Sequence, residues 1–123
     1  TLDVTDGRYK LLVMPKPEVE CFYEYTLMPT HMRARFSPAE LQQAAFVDGF
    51  SFTKGCKVLK IPCAVKNVAG MQRGDELLFD LQNDPHEEHP LHDEAVTARL
   101  KAAIRQLLNE NDAPAELYTS YDL

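Results

Sequence analysis

The chain has 123 residues, 45% hydrophobic and 26% charged, the proportions of one ordinary globular domain over residues 1–123 with a single modest core. Its net charge of −6 argues against nucleic acid or an anionic membrane surface as a partner. No apolar run approaches the ~20 residues of a membrane span, and no signal peptide is visible, so the reading leans to a cytoplasmic location. Because Thr1 stands where a Met would begin a natural chain, an absent N-terminal part is expected.

In chain order, Arg8 to Met14 is a compact apolar run after the turn signal Asp6-Gly7 and predicts a strand closed by Pro15 and Pro17. Glu20 to Leu27 is rich in aromatics and partly alternating, which predicts a second strand, broken by Met28-Pro29-Thr30-His31. Ser37-Pro38-Ala39-Glu40 carries a capping box with Pro at the first helical position, predicting a helix to about Phe46. Lys57 to Ile61 and Glu76 to Leu81 predict the third and fourth strands. The connector between them, with Asn67, Gly70 and Gly74, reads as a loop.

Asp93 to Asn111 predicts a long helix. Val96, Leu100, Ala103, Ile104, Leu107 and Leu108 recur on one face, with Leu100 and Leu107 expected deepest. Tyr118 and Tyr121 in the closing segment are expected to tuck against a neighbouring surface. The sum is an α+β fold: a small, four-stranded, mainly antiparallel sheet packed by the C-terminal helix, with a second short helix.

Cys21, Cys56 and Cys63 form no C-x-x-C pair, and three is an odd number, so reduced, buried thiols are expected. Charge is uneven. Arg33, Arg35, Lys54, Lys57, Lys60 and Lys66 face only Glu40 and Asp48 in the middle of the chain, whereas the last third is strongly acidic. A basic middle segment of this kind can concentrate an anion.

Three groups of residues could carry chemistry. His86, His89 and His92 recur every third residue, but helical zinc pairs sit at i and i+4, and Pro90 interrupts any helix here. A solvated turn is the better reading, and no metal site is expected in this chain. Thr30 to Arg35 is a loop where Arg33 offers a planar fork for sulfate or carboxylate oxygens and His31 can donate or accept. The competing reading pairs Arg33 and Arg35 with the following acidic helix and packs His31. Lys54-Gly55 before the third strand reads as a turn presenting an ammonium group. No phosphate loop, Ser-His-Asp set or G-x-S-x-G elbow is present.

Asp75 to Leu91 contains a distinctive order: an apolar run, an Asp-Leu-x-x-Asp-Pro turn and an acidic approach to the long helix. Leu78, Phe79, Asp80, Leu81, Asp84, Pro85 and Glu87 resemble the Leu-Tyr-Asp-Leu-x-x-Asp-Pro-x-Glu signature of the C-terminal subdomain of sulfatases, arylsulfatase-type members of the alkaline-phosphatase-like superfamily. Pro90-Leu91 stands where the wider family has Asn-Leu, and it matches a bacterial subgroup with Glu-His-Pro at this point. Tyr25 to Arg33, Phe36 to Leu41, Phe52 to Lys60 and Asn109 to Pro114 are similar to the same subgroup. The likeness thus runs from about Gly7 to the C-terminus.

The resemblance implies a chain that packs beside the active site of an N-terminal sulfatase catalytic domain and is inactive alone. It implies a parent enzyme that uses formylglycine and a divalent metal, usually calcium, to hydrolyse sulfate esters of a small molecule or carbohydrate. Neither C-x-P-x-R nor S-x-P-x-R, the source of formylglycine, occurs here. If the resemblance holds, His31, Arg33 and Lys54 are the residues best placed to reach a sulfated substrate. Two other readings stay open: a free-standing anion-binding or protein-interaction module, and a small metalloenzyme built on the histidines.

Overall fold

A computed structural model describes residues 1–28, 30–65, 68 and 70–123. The expected break at Pro29, the basic Lys66 and the expected loop residue Asn67 lie outside the described residues. The fold is α+β, with two three-stranded antiparallel sheets, one long helix and two short ones. The expected single four-stranded sheet is therefore corrected. The chain divides into two compact units, Thr1–Glu18 with Asn67–Leu123, and Val19–Lys66. The second unit interrupts the sequence of the first, so the strands on either side of each crossing between units belong to different sheets.

In the first unit, β1 (Leu2–Thr5), β2 (Tyr9–Val13) and β6 (Glu76–Asp80) pair in the order β1-β2-β6. Register places Val4, Leu11 and Leu78 side by side, and the two-residue alternation carries Leu2 and Val13 to the same face. Helix α2 (Glu94–Glu110) packs on β1 and β2 and buries Leu100 and Ile104. Asp93 caps it, accepting the Val96 N–H at 3.0 Å.

Leu100 is 1% exposed, as its spacing predicts, but Leu107 is 50% exposed. A helix of 17 residues is roughly 25 Å long, whereas a five-residue strand spans about 17 Å. The last turns of α2 thus carry an exposed Leu107 although the helical spacing sets it on the Leu100 face. The short helix α3 (Glu116–Ser120) leads into Tyr121, which is buried, and the Lys16 N–H donates to the Ser120 carbonyl at 2.9 Å. The expected tucking of Tyr121 is present.

In the second unit, β3 (Cys21–Thr26), β5 (Val58–Ala64) and β4 (Ala45–Val47) pair in the order β3-β5-β4. Helix α1 (Pro38–Gln43) starts with the expected capping box between Ser37 and Glu40. It is shorter than its pattern suggests. Ala44 turns extended, and Ala45 to Val47 form β4 by pairing with Lys60 to Val58. A sheet edge offers Phe46 a ladder that sequence alone cannot reveal. The core around Phe36, Val58 and Ile61 is small. That accounts for a second correction: Cys21 and Cys56 are exposed and Cys63 is half-buried, none of them in a disulfide.

Candidate functional site

The residues that carry the sulfatase resemblance build the end of β6 and the turn into α2. Asp80 is buried, and its carboxylate accepts from Arg8 Nη2 at 2.9 Å, Asn83 Nδ2 at 2.9 Å and the Gln82 N–H at 3.1 Å. The Arg8 bond is the main reason its pKa is lowered, with Asn83 and Gln82 assisting against desolvation. Asp84 accepts the His89 N–H at 2.8 Å and the Glu88 N–H at 3.1 Å. Those bonds, His89 foremost, hold its pKa down as well.

Glu87, at φ 57°, pairs with Lys10 at 2.7 Å. Leu91 then returns to the sheet edge, its N–H donating to the Leu78 carbonyl at 2.8 Å. The backbone N–H groups of Glu88 and His89 are therefore held by Asp84. His86, His89 and His92 are exposed on this turn and the approach to α2, and no group of three or more His, Cys, Asp or Glu residues among the described residues is disposed to hold a metal ion. An open cleft of about 420 Å³ lies between α2 and Tyr118, lined by Ala102, Arg105, Gln106 and Asn109.

The expected substrate residues all belong to the second unit. His31 is engaged on both ring nitrogens: Nε2 lies 2.8 Å from Glu40 Oε1, and Nδ1 lies 3.9 Å from Glu24 Oε2. Its ring also meets Phe36 edge-on, with centroids 4.5 Å apart. Glu40 completes the cap by accepting the Ser37 N–H at 2.6 Å. The two bonds with Ser37, assisted by His31, lower its pKa from 4.5 to about 2. His31 thus ties the 31–36 loop to α1. Among the described residues, Arg33 and Arg35 make no ion pair, so the alternative that pairs them with α1 is not what the structure contains.

Lys54 ends the 3-10 turn Ser51–Thr53 and adopts the left-handed conformation, φ 53°. Such a backbone is costly for a residue with a Cβ and persists only where its surroundings hold it. Here Thr53 is buried, with Oγ1 lying 2.9 Å from the Phe50 carbonyl and 3.1 Å from the Cys56 carbonyl. Lys54 is exposed.

The strand register separates these residues into two surroundings. Glu24, beside His31, pairs with Ile61, whereas Tyr25 pairs with Lys60 and so belongs to the opposite face. On that opposite face Lys60 Nζ lies 3.9 Å from the Tyr23 ring centroid and 5.3 Å from that of Tyr25. Tyr25 meets Phe50 edge-on at 5.2 Å, and Phe50 stacks on Phe52 at 5.4 Å. Lys54 follows this aromatic turn in the chain, just after Thr53. Sequence reasoning missed the row. The i, i+2 spacing of Tyr23 and Tyr25 was its one local sign, and the contribution of Lys60 and Phe50 depends on strand pairing.

Comparison with protein-family models, with curated proteins and with solved structures found no match.

Proposed function

We propose that this chain is the C-terminal subdomain of a bacterial sulfatase, packing beside the active site of an N-terminal catalytic domain and inactive without it. The observation that carries the reading is the form of the Leu78–Glu87 signature. It is the edge strand of a small sheet, a turn held by Asp80 and Asp84, and the approach to the last long helix. The resemblance implies that in a sulfatase this stretch closes a small sheet and leads into the last helix.

In this reading the catalytic domain supplies the formylglycine nucleophile and a calcium ion that polarises the sulfate. This chain contains neither precursor motif, and among the described residues no group of three or more His, Cys, Asp or Glu is disposed to hold a metal ion. Arg33 and Lys54 would bind anionic substituents on the organic part of the substrate, a sulfated small molecule or carbohydrate. His31, held by Glu40, fixes the loop that carries Arg33. Exposed Met32 (86%) and Phe46 (74%), with Leu41, give the second unit apolar surface for a partner protein to cover.

The same exposed surface also favours the alternative of a free-standing interaction module. The reading frame upstream of Thr1 distinguishes the two. About 350 or more preceding residues with C-x-P-x-R or S-x-P-x-R are expected, since the large α/β domain needs that length. A start codon immediately before Thr1 would refute the proposal.

A further inference from the structure

Lys54 stands where the backbone favours glycine. Its φ of 53° and ψ of 40° are left-handed, and Gly55 follows at φ 79°. A side chain is kept at such a position only where its surroundings fix it, and such residues concentrate at binding and catalytic sites. Other described residues with positive φ have a local reason for it. Asp112 and Asp122 are of a type that tolerates the region, and Glu87 pairs with Lys10 at 2.7 Å. Lys54 is exposed and, among the described residues, makes no ion pair. The turn around it is nevertheless closed twice. The Thr53 N–H donates to the Phe50 carbonyl at 2.9 Å, and the Cys56 N–H donates to the Thr53 carbonyl at 3.0 Å. The buried Thr53 hydroxyl oxygen lies 2.9 Å from the Phe50 carbonyl oxygen and 3.1 Å from that of Cys56. One side chain thus ties the residues before Lys54 to those after it. Gly49 admits the arrangement, because a Cβ there would overlap Thr53 Oγ1 and the Cys56 carbonyl oxygen.

We propose that Thr53 is a positioning residue for Lys54: its hydroxyl holds the turn in the backbone conformation that presents the Lys54 ammonium group to the substrate. The assignment rests on the reading above, in which Lys54 binds an anionic substituent on the organic part of a sulfated substrate. A turn that served stability alone would be better met by glycine at position 54, which adopts this backbone without strain. An ammonium group on a long flexible stem also loses entropy when it is immobilised on a ligand. Fixing the backbone that carries the stem removes part of that loss in advance. The neighbouring Lys57 is spoken for, 3.5 Å from Asp48, so Lys54 is the cation of this turn left to a ligand among the described residues.

The test compares 4-nitrophenyl sulfate with its 3-carboxy derivative, which adds one anionic group to the leaving portion, as substrates of the whole enzyme. The readout is the ratio of kcat/KM for the carboxylated ester to that for the plain one. Lys54→Ala should lower this ratio about tenfold and Thr53→Val about fivefold, with the plain ester within about twofold of wild type. Thr53→Ser keeps the hydroxyl and should restore the wild-type ratio. The double variant Thr53→Val with Lys54→Ala should lose no more than Lys54→Ala alone, because both losses pass through the same ammonium group. Losses that add, or a wild-type ratio in Thr53→Val beside an impaired Lys54→Ala, would overturn the positioning role alone. A wild-type ratio in Lys54→Ala, or no turnover of either ester, would remove the underlying reading and the assignment with it. A second measurement needs only the 123-residue chain and no folded Thr53 variant. Lys54→Gly should melt a few degrees above Lys54→Ala, since glycine alone is at ease in the left-handed backbone. Equal melting temperatures would show that the turn does not hold position 54 left-handed and would overturn the proposal.

Discussion

Arg8 Nη2 lies 2.9 Å from Asp80 Oδ2, joining the residue before β2 to the last residue of β6. The pair closes the β2–β6 ladder at the end where the signature turn begins, and Leu81 N–H reinforces it by donating to the Arg8 carbonyl at 2.8 Å. Asp80 also accepts from Gln82 and Asn83, so its carboxylate serves the turn as well as the ladder. Asp80→Ala should lower Tm by several degrees, and Asp80→Asn by less, because the amide keeps the shape and part of the bonding. Thermal unfolding followed by circular dichroism reads this out. An unchanged Tm in Asp80→Ala would mean that the turn holds without its carboxylate.

Leu100 and Leu107 look equivalent in sequence but should respond differently to truncation. Leu100→Ala removes a side chain buried between α2 and the sheet and should cost roughly 2–5 kcal/mol. Leu107→Ala, at a half-exposed position, should cost under about 1 kcal/mol. Denaturant titrations of both variants give the comparison. Equal losses would show that something covers the last turns of α2.

Gly49 should tolerate no side chain. A Cβ there would collide with Thr53 Oγ1 and the Cys56 carbonyl oxygen, the atoms that hold the Lys54 turn. Gly49→Ala should destabilise by roughly 1–3 kcal/mol, the usual cost of overpacking. Amide exchange should rise first in residues 50–58. Wild-type exchange there would indicate that the turn re-forms around the added methyl group.

These contrasts show what was legible in the sequence. The capping box at Ser37 and Glu40 and the cap at Asp93 are local, so a few neighbouring residues specify them, and the structure contains both. The burial of Leu100 follows from helical spacing. What could not be read depends on partners distant in sequence. β1 and β4 are short strands that exist through pairing with β2 and β5, and the division into two sheets follows from β2 pairing with β6 across the whole second unit. At the candidate site, loop position and charge pointed to His31, Arg33 and Lys54. They did not show that Glu24 and Glu40 engage His31, or that Phe50 and Phe52 stack in the turn before Lys54.

Glu40 links stability to pH through the cap. Its pKa falls from 4.5 to about 2, chiefly because the Ser37 N–H donates to the charged form. A lowered carboxylate pKa means stabilisation that is fully present above the unfolded value and lost as pH falls through the folded one. The contribution should therefore persist to pH 4.5 and disappear between there and about 2. Carbon-detected NMR titration of the Glu40 carboxyl should give a midpoint near 2 in the wild type and a higher one in Ser37→Ala. A wild-type midpoint near 4.5 would remove the linkage.

If the chain belongs to a sulfatase as proposed, Arg33→Ala and Lys54→Ala in the whole enzyme should impair the natural sulfated substrate more than a minimal aryl sulfate. The reason is spatial. The catalytic domain would hold the sulfate group under attack, while these side chains would meet other anionic groups on the leaving portion. Both are exposed, and among the described residues neither has an ion-pair partner to replace before binding. Loss of one direct charge-assisted contact should cost roughly 1.5–3 kcal/mol in transition-state binding, about ten- to a hundredfold in kcat/KM. With the aryl sulfate, which lacks those groups, kcat/KM should stay within about twofold of wild type, a difference of under ~0.5 kcal/mol. His31→Ala should differ from both. Removing the partner of Glu40 loosens the 31–36 loop, so thermal stability should fall together with natural-substrate activity. Equal kinetics for the Arg33 and Lys54 variants on both substrates, with the fold intact, would return these two residues to ordinary solvated surface.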